Sequence, residues 1–204
     1  MPRDGTATKT RILDAAEALI MGHGLTGTSI DQVLAKAGVT KGAFFYHFKS
    51  KADLARALIE RYAAQDEAHL DALLKQVETV SSDPLQQILS FLDLLVADAE
   101  KLIEPGAGCL IASFVSQFEA VDPVIREISA RSFLHWQQSL GAKFEAVITE
   151  HPPRFDVSAE DLVNGVISTY EGALVLIRVL QDTSHLFRQF AQYRQYIELL
   201  FMPE

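Results

Sequence analysis

Residues 28–54 read TSIDQVLAKAGVTKGAFFYHFKSKADL, and this stretch decides how the rest of the chain is interpreted. Apolar residues recur at helical spacing between positions 30 and 37, which indicates a short amphipathic helix. Ser29 comes just before it and Gln32 follows three residues later, the pattern of a capping box, while Gly38 is typical of a helix C-terminus. The stretch is therefore predicted to begin with a short helix that ends in a tight turn.

A second short helix and the start of a long one follow the turn. Thr40 offers another N-terminal cap, and Phe44 and Phe48 fall one turn apart, so both are predicted to face the core. Ser50 and Asp53 then form the start signal of a third, longer helix. Two short helices around a tight turn have the spacing of a helix-turn-helix, whose second helix enters the major groove of DNA.

The motif AGVTKGAFFYHFKSK, residues 37–51, resembles the TetR-type one-component transcriptional regulators of bacteria. The resemblance extends over residues 8–54 and implies a DNA-binding domain there. The chain departs from the family at Phe45, because a tyrosine is usual directly before Tyr46. Any phosphate contact made by that tyrosine hydroxyl is therefore missing, unless Tyr46 supplies it.

The resemblance also implies which residues contact DNA: Thr28, Thr40, Lys41, Gly42, Phe45, Tyr46, His47 and Lys51. Hydroxyls at helix N-termini suit phosphate oxygens, which is the expectation for Thr28 and Thr40. Lys41 is expected to reach base edges, and Gly42 to keep the backbone close to the groove floor. Two interpretations of Phe45 stay open, packing against the domain and touching a thymine methyl group.

Composition and charge favour an all-α protein with two domains. Of the 204 residues, 49% are apolar, and almost no segment alternates apolar with polar residues as a half-buried strand would. Residues 1–52 hold seven Lys and Arg against four Asp and Glu, whereas residues 53–204 hold eleven against twenty-three. We therefore assign residues 1–52 to a basic helix-turn-helix domain and residues 53–204 to a larger acidic domain for effector binding and dimerisation.

Several classes of protein and site are not indicated by the sequence. The longest run without a charged residue, 105–118, is too short to span a bilayer, and the N-terminus lacks an apolar signal core. We expect a cytoplasmic protein with no membrane partner. No nucleophile, base and orienting group occur at a recognisable spacing, and no Cys, Asp or Glu has ligand spacing to His47. Neither enzyme activity nor a metal or cofactor is expected.

The C-terminal part is predicted to complete a fold of about nine helices, of which the last four cover residues 109–120, 122–150, 158–180 and 184–201. The family resemblance implies an effector pocket here, with candidate walls at Phe91, Phe114, Phe118, Phe133, Trp136 and Tyr170. Such walls suit a largely apolar or aromatic ligand, although each ring is alternatively part of the core. Cys109 is a candidate sensor of electrophiles or oxidants, with a buried structural role as its alternative.

The last two helices are predicted to form a dimer interface. Small residues recur at helical spacing on 158–180 and allow another helix to approach, while 184–201 displays a line of apolar residues. Two such helices from each subunit can close a four-helix bundle. Two DNA half-sites about 34–36 Å apart also require two DNA-binding domains. The predicted interface residues are Gly165, Thr169, Gly172, Phe187, Phe190, Arg194 and Ile197.

The leading hypothesis is a homodimeric repressor that occupies a palindromic operator and leaves when a small effector binds. Repression rather than activation is implied by the resemblance. The alternative keeps DNA binding but places control in a protein partner or in modification of Cys109. A third hypothesis, an enzyme with its site in the helical domain, has no motif to support it.

Overall fold

The computed structural model describes residues 5–102, 109–111, 114 and 122–202, and of residues 99–102 only the backbone. Every regular element within these residues is an α-helix, which confirms the predicted fold class. The helices are α1 (Gly5–His23), α2 (Ile30–Ala37), α3 (Lys41–His47), α4 (Lys51–Val80), α5 (Pro84–Leu102), α6 (Pro123–Glu150), α7 (Ala159–Leu180) and α8 (Ser184–Phe201). The helix predicted over residues 109–120 lies mostly outside the described residues, so eight of the nine predicted helices are seen.

The described residues form two compact units. The first takes in those up to residue 64 together with those from 108 to 130, and the second takes in those in 65–107 and 131–204. Helix α4 is continuous across the predicted domain boundary between residues 52 and 53. That boundary stays a prediction.

Local capping signals fix both ends of α2 in the first unit. The Ser29 N–H donates to Gln32 Oε1 at 2.7 Å, and the Gln32 N–H donates to Ser29 Oγ at 3.2 Å, which completes the predicted capping box. Gly38 ends the helix with φ 64°, a left-handed conformation that glycine adopts without a Cβ penalty. These caps determine where the chain turns into α3.

Helix α1 supports the two helices that follow it. It packs against both α2 and α3, and Arg61 of α4 donates to Asp14 Oδ1 at 2.6 Å and to Glu17 Oε2 at 2.5 Å. The apolar core of this unit includes Ile12, Ala16, Ile20, Leu25, Val33, Phe44, Phe48, Leu54 and Leu58. The position of α3 therefore follows from burial of its apolar face together with the ion pairs that hold α1 to α4.

In the second unit, α8 packs against both α7 and α5. Gly165 of α7 lies directly against the ring of Tyr193 on α8, whose hydroxyl donates to the Leu162 carbonyl oxygen at 2.5 Å. The buried side chains of these helices include Leu92, Leu95, Leu162, Val166, Ile177, Phe190 and Ile197. The absence of a side chain at Gly165 allows the two helices to approach this closely.

Helix α7 is apolar on its outer surface as well as on its packed side. It is the one helix of the described chain that is long and apolar enough to cross a membrane, by length and composition only, and 33% of its most apolar stretch is buried. Val175 is 61% exposed and Val179 is 72% exposed. This helix therefore presents an apolar face that the rest of its own unit does not cover.

Candidate nucleic-acid interface and effector region

Helix α3 has one buried face and one exposed face. Phe44 is fully buried and Phe48 is 3% exposed, with ring centroids 5.7 Å apart, so both are core residues as predicted. The opposite face carries four exposed residues: Lys41, Gly42, Phe45 and Tyr46. At Gly42, nothing described lies within 4 Å of where a Cβ would stand. The exposed face thus combines an ammonium group, a bare backbone and two aromatic rings.

Thr40 and Thr28 lie in different environments. Thr40 is exposed, and its hydroxyl oxygen accepts from the Ala43 N–H at 3.2 Å, so its hydroxyl proton can still be donated to a phosphate oxygen. Thr28 is buried, and its hydroxyl donates at 2.8 Å to the Gly24 carbonyl oxygen, which follows the end of α1. The Thr28 hydroxyl was expected to point outward, but it points into the unit. Thr28 is therefore not a candidate for phosphate contact through its hydroxyl.

His47, the last residue of α3, and Lys51, the first residue of α4, are both half-buried. The His47 ring lies 4.9 Å from the Tyr46 ring and 6.3 Å from the Phe48 ring, measured between centroids. Its Cε1 is 3.6 Å from where a Cβ would stand at Gly5, so the start of α1 lies next to α3. Burial lowers the pKa of the Lys51 ammonium, and a phosphate beside it would favour the charged form.

Two arginines of α4 in the first unit are engaged with carboxylates. Arg56 Nε donates to Asp122 Oδ2 at 2.8 Å, and Arg61 makes the two contacts to α1 described above. The cations in and just after α3 are instead lysines: Lys41, Lys49 and Lys51. Because lysine binds phosphate as a point charge rather than as a bidentate fork, phosphate contacts by these lysines would depend on charge more than on fixed geometry.

A partly buried carboxylate lies among the predicted effector residues of the second unit. Asp66 Oδ2 on α4 accepts from Trp136 Nε1 at 2.8 Å and from the Ser132 hydroxyl at 3.2 Å, both on α6. Phe91 on α5 is fully buried and meets the Trp136 ring edge to face, with centroids 6.4 Å apart. Burial raises the pKa of Asp66, while the hydrogen bonds from Trp136 and Ser132 oppose the shift. A carboxylate beside aromatic rings can orient a ligand that donates a hydrogen bond or carries positive charge.

The other predicted effector residues are spread over the chain. Phe133 is half-buried on α6, and Tyr170 on α7 packs edge to face on Phe190, with centroids 6.2 Å apart. Phe114 is fully buried but belongs to the first unit, and Phe118 lies outside the described residues. Of the predicted effector residues, Phe91 and Trp136 are therefore a pair that the structure brings into direct ring contact.

An open groove runs between α5 and α8, with a volume of about 340 Å³. Its lining is mostly apolar and consists of Leu92, Val96, Ala97, Phe187, Phe190 and Ala191, with Asp93 and Arg194 beside them. Arg194 Nε donates to Asp93 Oδ1 at 3.1 Å, and its Nη1 contacts Glu198. Three residues predicted for the dimer interface, Phe187, Phe190 and Arg194, therefore face α5 of the same chain.

The remaining predicted interface residues divide between the interior and the surface. Ile197 is fully buried, Thr169 is half-buried, and Gly165 faces Tyr193 of the same chain. Gly172 is exposed, with nothing described within 4 Å of its missing Cβ. Ser168, Gly172, Val175 and Val179 are exposed at helical spacing and form an outer face of α7, and Leu199 is exposed on α8.

Cys109 is 9% exposed, which suits its structural interpretation better than a reactive thiol. Its role as a sensor stays a prediction. The described part of the chain contains no group of three or more His, Cys, Asp or Glu that could hold a metal ion.

Comparison with known proteins identifies the family. Residues 12–58 match the bacterial regulatory proteins of the tetR family, and residues 84–193 match the tetracyclin repressor-like C-terminal domain. The chain belongs to the TetR family. It is therefore a DNA-binding transcriptional regulator and not an enzyme, and α2 and α3 are its helix-turn-helix.

Relatives of this TetR-family chain extend over nearly its whole length. It is 30% identical to an uncharacterized HTH-type transcriptional regulator in the lacX 3' region of Lactococcus lactis subsp. lactis, over 90% of this chain and 89% of the relative. It is 21% identical to the HTH-type transcriptional repressor DhaR of Mycobacterium sp. (strain GP1), over 85% of this chain and 84% of the relative. A TetR transcriptional regulator from Chloroflexus aurantiacus J-10-FL superposes with a TM-score of 0.79 at 27% identity, covering 98% of both chains.

Sequence reasoning missed Asp66, although a signal for it exists. Apolar or aromatic residues of α4 recur every four positions at Leu54, Leu58, Tyr62 and Leu70, and one position of this series, between the last two, is not apolar. Asp66 fills that position. A carboxylate in a buried line of a TetR-family helix is therefore a sequence pattern that indicates a polar group inside the unit.

Proposed function

We propose that this TetR-family regulator is a homodimeric repressor that binds a palindromic operator and is released by a small, largely apolar or aromatic effector. The observation that carries the DNA-binding part is the exposed face of α3, which stands opposite the fully buried Phe44. Repression is supported by the relative DhaR, whose name describes it as a repressor. The proposed place of action is the bacterial cytoplasm, because an operator is part of the chromosome or a plasmid.

We assign residues in and next to α3 to two kinds of DNA contact. Lys41, Phe45 and Tyr46 are proposed to face base edges in the major groove, with Gly42 allowing the backbone to approach. Thr40, His47 and Lys51 are proposed to contact phosphates, which position the helix without reading sequence. Specificity and affinity should therefore be separable by mutation.

The test begins with selection of the bound sequence from random duplexes, followed by affinity measurements at several salt concentrations. Lys41→Ala should relax the preference at one base pair, by about 1–3 kcal/mol. Lys51→Ala should weaken binding to all sequences alike and reduce the slope of log affinity against log salt by about two, because each subunit of the dimer loses one phosphate contact. Lys75→Ala is a matched control, because Lys75 is an exposed lysine on the same helix as Lys51 but in the acidic second unit. Unchanged operator affinity in both Lys41→Ala and Lys51→Ala would refute the proposed docking of α3.

Dimerisation is proposed to use the outer face of α7 and α8. Its valines and Leu199 are more than half exposed, and Gly172 allows another backbone to approach. A double Val175→Glu, Val179→Glu variant should shift the sedimentation coefficient from dimer to monomer. Val80→Glu is the control, since Val80 is 63% exposed at the end of α4. The proposed interface is wrong if the double variant sediments as the wild-type dimer does.

The effector is proposed to bind beside Phe91, Trp136 and Asp66. A thermal-shift screen with apolar and aromatic metabolites should find compounds that raise the melting temperature and lower operator affinity. Trp136→Phe keeps an aromatic ring, although a smaller one, and removes the hydrogen bond to Asp66, so it should reduce the thermal shift produced by a true ligand. A compound whose effects are equal on wild type and variant binds elsewhere, for example in the groove between α5 and α8.

Control by a protein partner or by modification of Cys109 is the alternative. This alternative would be favoured if no compound in a broad metabolite panel changed the melting temperature. Complete alkylation of Cys109 in the native protein with no change in operator affinity would leave only the protein partner. The low exposure of Cys109 predicts slow alkylation of the folded chain compared with the chain in denaturant.

A further inference from the structure

Phe45 is an apolar residue on the exposed face of the recognition helix. Its side chain is 43% exposed, although its neighbour Phe44 is fully buried. The two rings meet edge to face with centroids 5.3 Å apart and an interplanar angle of 82°. Packing against Phe44 therefore holds the Phe45 ring in place while part of it remains open to solvent.

The chemistry of the ring limits what it can contact on DNA. A phenyl group has no donor or acceptor, so it cannot hydrogen-bond a phosphate oxygen or a base edge. Lys41 stands one helical turn before it and Tyr46 directly after it, and both are exposed with it. In the major groove, the apolar feature that a side chain on this face can meet is the C5-methyl group of thymine.

We propose that Phe45 reads the 5-methyl group of one thymine in each operator half-site. The proposal rests on the docking of α3 put forward above and adds a specificity-determining residue to it. The ring is pre-positioned by Phe44, so covering it with a methyl group requires little further ordering of the side chain. Burial of one methyl-sized group corresponds to about fourfold in affinity per half-site, and about fifteenfold for two symmetric half-sites.

The test replaces each symmetric pair of thymines in the selected operator by uracil, which removes only the 5-methyl group. The wild-type protein should lose about fifteenfold in affinity at one pair and little at the others. Replacing that base pair by 5-methylcytosine and guanine should be tolerated better than replacing it by unmethylated cytosine and guanine. Both results measure the methyl group apart from the hydrogen-bonding edge of the base.

Variants then connect the effect to the residue. In Phe45→Ala the loss on removing the methyl group should disappear, whereas in Lys41→Ala it should persist. Phe45→Leu provides a second apolar variant that should keep part of the discrimination, and circular dichroism checks that both variants fold.

Three outcomes would overturn the inference. The first is that the protein tolerates uracil in place of every thymine and still binds the operator specifically. This result would overturn the role of Phe45 but leave the docking proposal intact. The second is a methyl effect that survives in Phe45→Ala. The third is no preference for any duplex sequence, which removes the docking proposal as well.

Discussion

Replacing Gly165 by alanine should destabilise the second unit, because the new methyl group would enter space that Tyr193 occupies. A Cβ built on Gly165 would lie 2.7 Å from Cε2 of Tyr193, 3.0 Å from its Oη and 3.2 Å from its Cζ. Nonbonded carbon atoms stand about 3.5–4.0 Å apart at their optimal separation. Either the ring must move or α7 and α8 must separate.

The ring of Tyr193 is held from two sides, so moving it has a cost. Its hydroxyl donates to the Leu162 carbonyl oxygen, and its ring packs on Tyr196 with centroids 5.8 Å apart. Burial raises the pKa of Tyr193, which keeps the hydroxyl protonated as a donor. Overpacking of this kind costs about 1–3 kcal/mol, and alanine recovers about 0.5–1 kcal/mol of helix propensity over glycine. The expected net loss in the free energy of unfolding is about 0.5–2 kcal/mol.

Urea unfolding followed by circular dichroism, at one fixed protein concentration, measures this loss. Gly141→Ala is the matched control, because Gly141 lies within α6 with nothing described within 4 Å of its missing Cβ. That variant should be more stable than the wild type by about 0.5–1 kcal/mol. In a Tyr193→Leu background, Gly165→Ala should also cease to destabilise. The reasoning is refuted if Gly165→Ala unfolds at the same urea concentration as Gly141→Ala, or at a higher one.

Three further predictions concern stability and DNA binding. Asp66→Asn should raise the melting temperature at pH 7, because burial raises the pKa of Asp66 and the folded chain therefore disfavours its ionised form. This advantage should shrink as the pH falls towards the ordinary aspartate pKa of about 3.9, which melting curves over a pH series would show. Arg61→Lys should lower the free energy of unfolding in urea by about 1 kcal/mol, because lysine cannot contact Asp14 and Glu17 as a fork. The loss should be smaller at high salt, which screens the ion pairs. Ser29→Ala should cost about 1 kcal/mol of stability, reducing operator affinity without changing the preferred sequence in a repeated selection.

Local signals explain why the helix-turn-helix could be predicted residue by residue. A capping box spans four residues and a left-handed glycine ends a helix by itself, so Ser29, Gln32 and Gly38 need no tertiary contact to set the ends of α2. The burial of Phe44 and Phe48 follows from their spacing of one turn. The exposed residues of α3, which we propose to face DNA, are then those that remain once the core face is assigned.

The polar contacts of the interior were less accessible to sequence reasoning. Asp66 and Trp136 are 70 residues apart, so no local pattern pairs them. Thr28 precedes α2 in the position expected for an outward hydroxyl, yet the carbonyl of Gly24 accepts its hydrogen bond. The first contact joins residues that are distant in the sequence, whereas the second joins residues four apart; in both, a polar group removed from water finds a hydrogen-bond partner.

Periodicity identified the apolar side of α8 but not the molecule that covers it. Phe190 and Ile197 are on that side, and they are covered by helices of the same chain. The same spacing rule applies within a chain and between chains, because burial removes apolar surface from water in either case. Only the packing of α8 against α5 and α7 shows that this apolar side is covered within the chain.

The apolar character of α7 on two sides connects its composition to assembly. A helix that is apolar all round is covered on all sides in its working environment. On α7 the rest of the unit covers Leu162, Val166 and Ile177, while Val175 and Val179 remain exposed. A second copy of the chain would cover those valines and explain why a helix of a DNA-binding protein is apolar enough to resemble a membrane span. If the Val175→Glu, Val179→Glu variant stays dimeric, the outer apolar face needs another occupant and this connection fails.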